Sequence, residues 1–469
     1  MEEVKKKLTD EELAQVLTSG GDERIELNAE GLNKYHINPL KYQGVFNRAS
    51  CTCSPLNTES HEHLNSFQNE VAVHGFETVK ERQKQRIKRL IRTSENVEIA
   101  FAPSGSDLCY YPLLFRKLIS PDKPILNLLT CPEELGSGSV TANQGRFYGV
   151  KNQLNDELTK GEQIDPNLDI ELMSFSARDE EGKIIDHRDK IAETIAKYKD
   201  KYALIGNIVI GSKSGISDNL TVVREFQDDI LWVVDLCQLR ANTHIVRKLL
   251  NLNCLIMITG SKFYQSPPFS GALIIPESIS KRVRETSSEN PWGMNRVFTK
   301  TDLPACADHI GHHFSDYQNR GLMYRWETAL FEMEKLSKFS EKRVTDIIDE
   351  WNKTLVNRIK ESEYFELMKD QSRTNSSIIS LKVKINGEFL KLEEMTKLYR
   401  DICNTPTSGA LEDFKKVIIG QPVSYPHHTF IRLALGSYNI RKLVENNLNF
   451  DLDLALVDHI EQIIEEKWA

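Results

Sequence analysis

The chain has 469 residues, a net charge of −8 and a pI near 5.9, with 27% charged and 40% hydrophobic residues. That balance is ordinary for a globular protein of two or three domains, and its acidity argues against a nucleic-acid partner. No apolar run could span a bilayer, and Met1-Glu-Glu-Val-Lys-Lys-Lys lacks the apolar core of a signal peptide, so a cytoplasmic protein with no membrane partner is expected.

The first predicted element is a helix over residues 10–17 with Thr9 as its cap. Turn-rich sequence follows, and residues 31–55 read as a loop whose polar groups include Asn33, Tyr35, Ser50 and Thr52. A long helical stretch without proline then covers about 63–91, and its basic end suits a helix C-terminus. Residues 97–102 form the first strand of a large domain. Pro103-Ser-Gly-Ser-Asp107 turns from it into a helix, offering backbone N–H groups and the positive end of the helix dipole to an anion. An aspartate at position 107 would repel that anion, so its side chain is expected to cap the helix or turn away. Strands over 124–130, 169–175 and 202–210, with a helix over 189–198, continue a regular alternation that predicts a mostly parallel sheet flanked by helices.

The most informative stretch comes next. Residues 230–234 are apolar at consecutive positions, as in a strand covered on both faces, and the run stops at Asp235. After Gln238 and a helical pattern over 241–250, a second apolar run, 254–258, stops at Thr259-Gly-Ser-Lys262, and residues 271–275 form a further strand. This is a βαβ unit, and ligands of open α/β sheets bind beyond the carboxyl ends of the strands, where Asp235, Gln238 and Lys262 fall. An acid and a lysine there suit pyridoxal 5'-phosphate. The lysine would form a Schiff base, the carboxylate would keep the pyridine nitrogen protonated, and Gln238 would donate to the ring hydroxyl oxygen. A second Ser-Lys pair, in Ile210-Gly-Ser-Lys-Ser-Gly215, makes Lys213 the rival anchor.

The order Asp-x-x-Gln, one crossover, then Ser-Lys resembles the class V branch of the fold-type I pyridoxal phosphate enzymes, the aminotransferase and cysteine desulfurase group. In that family the lysine follows the acid strand, which favours Lys262 over Lys213. The resemblance implies an α/β large domain with a smaller α+β C-terminal domain. It divides the chain into an arm (1–62), a cofactor domain (63–320), a linking helix (321–362) and a small domain (363–469). It carries phosphate binding to Gly105 and Ser106, adds Ser261 and Asn207 as cofactor contacts, and makes Glu134 a candidate at the cofactor face or the substrate amine. The loop after residue 130 has no His or aromatic residue to stack on the ring. Asn33 and Tyr35 become substrate contacts. Arg432, in a strand of otherwise apolar residues, becomes the clamp for the substrate carboxylate. The resemblance also implies a homodimer with active sites at the interface, and Asn319-Arg-Gly-Leu322 loosely matches the segment that reaches the neighbouring cofactor phosphate. The functions it allows are an aminotransferase first, then a carbon–sulfur lyase, desulfurase or decarboxylase, then a binding or regulatory protein without turnover. A desulfurase would need a mobile cysteine, for which Cys403 is the candidate.

The eight cysteines, at 51, 53, 109, 131, 237, 254, 306 and 403, lack Cys-x-x-Cys spacing and are expected to be reduced. Cys306, Asp308, His309, His312 and His313 have the residue types of a metal site without a spacing that fixes a geometry, and no metal is assigned.

Overall fold

The computed structural model describes residues 8–240, 243–368 and 377–468. Thirteen strands run in chain order: β1 Val45–Arg48, β2 Glu98–Ala102, β3 Ile125–Thr130, β4 Ile170–Phe175, β5 Ala203–Val209, β6 Leu231–Asp235, β7 Leu255–Thr259, β8 Gly271–Ile275, β9 Phe365–Leu367, β10 Ile378–Ile385, β11 Glu388–Phe389, β12 Lys416–Ser424 and β13 Thr429–Ala434. Seven of them form one sheet in the order β2-β8-β7-β6-β5-β3-β4, in which β8 runs antiparallel to both neighbours and the remaining neighbours pair in parallel. Strands β3, β5, β6 and β7 are buried at every position, which is why their sequences are apolar apart from strand ends and the hydrogen-bonded pair Asn127 and Asn207. Alternate residues feed opposite faces. Ile205, Val233 and Met257 join the core containing the helix Tyr110–Ile119, while Leu204, Trp232 and Ile256 join the core containing Trp326 and Leu330.

The second sheet has six strands, β1-β12-β13-β10-β11 with β9 also on β10, and packs against the helices Glu341–Lys360, Leu392–Asn404 and Asp451–Lys467. Its first strand comes from the N-terminal arm: β1 pairs in parallel with β12, and Arg48 makes a buried two-bonded ion pair with Asp453 at 2.6 and 2.7 Å. The sequence reading had this segment as loop. The strand is four residues long and its ladder partner lies far along the chain, so no local pattern announces it.

The helix expected over 10–17 forms with a Thr9–Glu12 capping box. The stretch 63–91 is two helices, Thr58–His74 and Phe76–Leu90, broken at Gly75, whose φ of +76° a side chain would disfavour. The linking segment is likewise a pair, Arg320–Leu336 and Glu341–Lys360. Arg325, on the first of the pair, is buried and forms no ion pair among the described residues. It donates to the carbonyls of Leu17, Ser19 and Gly20 and to that of Phe269 at 2.5 Å, joining the arm to the loop that follows Lys262.

Among the described residues no helix is long and apolar enough to cross a membrane, and no group of three His, Cys, Asp or Glu side chains could hold a metal ion. His312 and His313 lie against each other with ring centroids 3.9 Å apart. All eight cysteines are free and buried.

Candidate active site

Asp235 is the last residue of β6, and Lys262 lies three residues beyond the end of the adjacent β7. The turn carrying the lysine is set by close packing. A Cβ on Gly260 would fall 2.4 Å from Ala329 Cβ, so glycine lets Thr259-Gly-Ser-Lys262 lie flat on the helix Arg320–Leu336. Gly260 N–H donates to Ser270 O at 3.1 Å, and Ser437 N–H of the small domain donates to Phe263 O at 2.8 Å, holding both sides of the turn. Lys262 is half-buried, its carbonyl accepts from Gln265 N–H at 3.0 Å, and its side chain has no hydrogen bond or ion pair among the described residues. Asp235 is 8% exposed, accepts one hydrogen bond from Cys237 N–H at 2.9 Å and has no cation partner among the described residues. The Cys237 thiol, pushed up by burial and by the Asp235 charge and drawn back by the Lys262 charge, reports both groups beside it.

Gln238 donates to Cys51 O at 3.0 Å and accepts from Arg240 Nε at 3.1 Å, so its side chain is already engaged with the arm and with its neighbour. Arg240 also donates to Ser50 Oγ (3.0 Å), Ser377 Oγ (2.8 Å) and Leu435 O (2.6 Å). Arg432 enters from β13, 1% exposed, and donates to Gln421 O at 3.1 Å and Thr52 Oγ1 at 3.4 Å, while its Nε has no acceptor. The site is therefore walled by three parts of the chain: the ends of the large sheet, the middle of the small sheet, and arm residues 50–52. Arg240 had no assigned role in the sequence reading. Its position two residues after Gln238 was visible, but its acceptors come from separate segments.

Lys213, in the turn after β5, lies in the same place. Its Nζ donates to Glu133 O at 2.9 Å. Burial pulls this ammonium down to about 8, the charge of Arg432 acts in the same direction, and Glu134 acts against both. The Glu134 carboxylate accepts from both hydroxyls of Ser212 and Ser214 and from Ser214 N–H at 2.8 Å, which locks it onto that turn. Asn207 donates to Asn127 Oδ1 at 2.6 Å inside the sheet, and its own Oδ1 is buried without a partner. Asn33 Oδ1 accepts from the N–H groups of Tyr35 and Ile37 and so shapes the arm. Tyr35 packs edge-on against Phe269 of the post-Lys262 loop at 5.6 Å.

At the turn after β2, Ser104 Oγ accepts from the N–H groups of Ser106 and Asp107 at 3.2 and 3.3 Å. Ser106 is buried beside Gly136 and Gly138. A Cβ on Gly105 would meet Thr259 Cγ2 at 3.2 Å and Cys237 Sγ at 3.3 Å, so this turn rests directly on the ends of the lysine and acid strands. Ser261 Oγ is fully buried with no partner. Asp107 faces the arm: it accepts from Ser104 Oγ (2.7 Å) and Tyr148 Oη (2.9 Å), and Tyr148 also reaches Asp22, which holds Arg24 at 2.6 and 2.7 Å.

Burial and the Asp22 charge push the Asp107 carboxyl from 3.8 up to about 7. The folded chain thus binds this proton more tightly than the unfolded one. The group's stabilising contribution is complete below about pH 4 and is lost as pH rises to about 7. Asp22 has the opposite sign: burial raises it, but Arg24 outweighs burial and holds it below 3.8, so its contribution is lost only in acid. Asp107→Asn is expected to flatten the decline of the urea midpoint between pH 5 and 8 and to raise stability at pH 8 by on the order of 3 kcal/mol. A wild-type midpoint independent of pH over that range would contradict the raised Asp107 carboxyl.

No family model matches the chain, and no curated protein matches it in sequence. Solved structures do match. Ureidoglycine-glyoxylate aminotransferase from Bacillus subtilis is 12% identical with a TM-score of 0.54, covering 91% of this chain and 94% of its own. The cysteine desulfurase CsdA from Escherichia coli is 11% identical at 0.54, covering 89% and 94%. The cystine C-S lyase C-DES, solved with its reaction product cysteine persulfide, is 12% identical at 0.55, covering 88% and 98%. These neighbours are fold-type I pyridoxal phosphate enzymes, and the chain has their fold over nearly its full length.

Proposed function

We propose that the protein is a pyridoxal phosphate-dependent enzyme that acts on an amino acid or other primary amine, an aminotransferase in the first place. The observation that carries the reading is the pair at the ends of adjacent strands: a carboxylate, Asp235, and an amine, Lys262, neither of which has an ion-pair partner among the described residues. A buried carboxylate left unpaired is unfavourable unless a ligand supplies the positive charge, and a protonated pyridine nitrogen is such a group. The orphaned Ser261 Oγ and the close-packed Gly105 fit a phosphate beside the same strand ends.

When bound, pyridoxal phosphate supplies an electrophilic carbonyl for the amine and a ring that takes up the negative charge developing on the substrate carbon. Asp235 would keep the proton on the ring nitrogen, and Lys262 Nζ would hold the cofactor and then move a proton to and from the substrate Cα. Arg432 Nε, free of an acceptor, would bind the α-carboxylate, and Ser106, Gly105 and Ser261 would bind the phosphate. Gln238 is turned to Cys51 and Arg240 and would steady the arm; Glu134 would steady the Lys213 turn. A carbon–sulfur lyase is the second reading. A desulfurase with a persulfide-carrying cysteine is less supported, because Cys403 lies in the small-domain core, 1% exposed, and burial pushes its thiol up. A homodimer is part of the proposal and is checked by sedimentation.

The test is the visible spectrum of the purified protein with pyridoxal phosphate, before and after borohydride, followed by peptide mapping. The expected result is a visible band that borohydride removes, with the cofactor fixed on the Lys262 peptide and no fixation in Lys262→Ala. Fixation on the Lys213 peptide would move the anchor, and no band at all would remove the cofactor from this reading.

A further inference from the structure

Beside Asp235 and Lys262 the site gathers three more cations, Lys213, Arg240 and Arg432, and among the described residues none of them pairs with a carboxylate. The two acids at hand act on Lys213 through their charge but form an ion pair with none of the three among the described residues. Asp235 is assigned to the cofactor ring, and Glu134 has its oxygens taken by Ser212 and Ser214. Arg240 spends four of its five N–H donors on acceptors from Ser50, Gln238, Ser377 and Leu435, which tie it to the walls of the site. Lys213 and Arg432 differ from it. Lys213 spends one of its three N–H donors, on Glu133 O, and Arg432 keeps its Nε without an acceptor.

These two cations approach from opposite walls. Lys213 belongs to the large sheet, on the turn after the strand next to Asp235, and Arg432 belongs to the small sheet. The Lys213 turn touches the small sheet's side of the site, where Ser214 Oγ lies 3.3 Å from Tyr425 Oη. The charge of Arg432 acts on Lys213 in the same direction as burial, and like charges brought together away from bulk water are unfavourable unless anions lie between them. A substrate with one carboxylate answers one cation and leaves the other unmatched. We propose that the substrate is an amino acid whose side chain ends in an anion, with Lys213 receiving that group while Arg432 holds the α-carboxylate. This rests on the cofactor reading above. It makes Lys213 a specificity-determining residue, and the half-buried position of its side chain leaves it open to a ligand.

The experiment uses calorimetry on the cofactor-loaded protein, whose loading on Lys262 is first established in the same sample by borohydride mapping. Three ligands without an amine are compared: glutarate, 3-phosphonopropionate and valerate. At least one of the two dianions is expected to bind about tenfold or more tightly than valerate, and the tighter one identifies the kind of anion. The preference should fade as pH rises through about 8, where Lys213 loses its proton. Lys213→Met should equalise the ligands, and Lys213→Arg, which keeps the charge, should retain the preference. Equal affinities in the wild type, or a preference that survives in Lys213→Met, overturn this inference alone. Failure of Lys262 to take the cofactor overturns the inference together with the reading beneath it.

Discussion

Asp235→Asn is expected to lower turnover by at least about three orders of magnitude while the protein still takes up the cofactor on Lys262. The amide oxygen can keep the hydrogen bond that the carboxylate accepts from Cys237 N–H, so the strand end and its turn should stand. What it cannot supply is the negative charge. With the ring proton no longer held, negative charge on the substrate carbon has a poorer acceptor, and each 1.36 kcal/mol lost from the transition state is about a factor of ten. A loss of about 4 kcal/mol is reasonable for one carboxylate–cation contact away from bulk water. Single-turnover rates measured beside borohydride mapping separate the two steps. A variant within about tenfold of the wild type would show that Asp235 does not face the ring.

Glu332→Ala is expected to be the most damaging change outside the site. Glu332 is fully buried on the helix Arg320–Leu336, where it takes Arg441 Nε at 2.7 Å, Arg441 Nη2 at 3.0 Å and Ser437 Oγ at 3.1 Å. Both partners lie on the helix Ser437–Glu445, so this carboxylate ties a helix packed on the large sheet to one packed on the small sheet. Without it, Arg441 keeps only the more exposed Glu59 at 3.1 and 3.5 Å. Removing one member of a buried pair typically costs about 3–5 kcal/mol, chiefly because the other charge stays behind. A fall in the urea midpoint of that size is expected. The double change with Arg441→Ala should be less severe than the sum of the two single ones. A midpoint shift worth less than about 1 kcal/mol would mean that Glu59 alone satisfies the arginine.

The large sheet was legible because its strands are covered on both faces. A strand such as Leu231–Asp235, buried at every position, has to be apolar until it ends, and its sequence says so; Ala203–Val209 departs only at Asn207, which pairs with Asn127 inside the sheet. Asp235 and Lys262 were legible for the same reason, as polar interruptions at the ends of such runs. The small sheet was harder to read. Lys416–Ser424 contains Gly420, Gln421 and Pro422, which break the alternation at a register shift against β13, and the strand went unread. The arrangement of the polar groups was least visible. Glu134 could be placed after a strand, but its capture by Ser212 and Ser214 depends on β3 and β5 being neighbours, which sequence order does not state. Arg240 and Lys213 gain their meaning from segments distant in sequence. Asp107 was expected to cap its helix or turn away; it turns away, toward Tyr148 and the arm, while Ser104 takes the capping role.

The arm that walls the site also sets when the site can exist. Thr52 meets Arg432 across 380 residues of chain, and Arg48 meets Asp453 across 405. At synthesis rates of about 5–20 residues per second, the arm therefore waits roughly 20–80 s on the ribosome before its partners emerge. During that time β1 has an unpaired edge, and the large sheet can close around its own core without a substrate pocket. The pocket is then built after the large sheet, by contacts between segments made 380 and 405 residues apart. A nascent chain that has not been finished can hold the acid and the lysine in register and still lack the wall that receives a substrate.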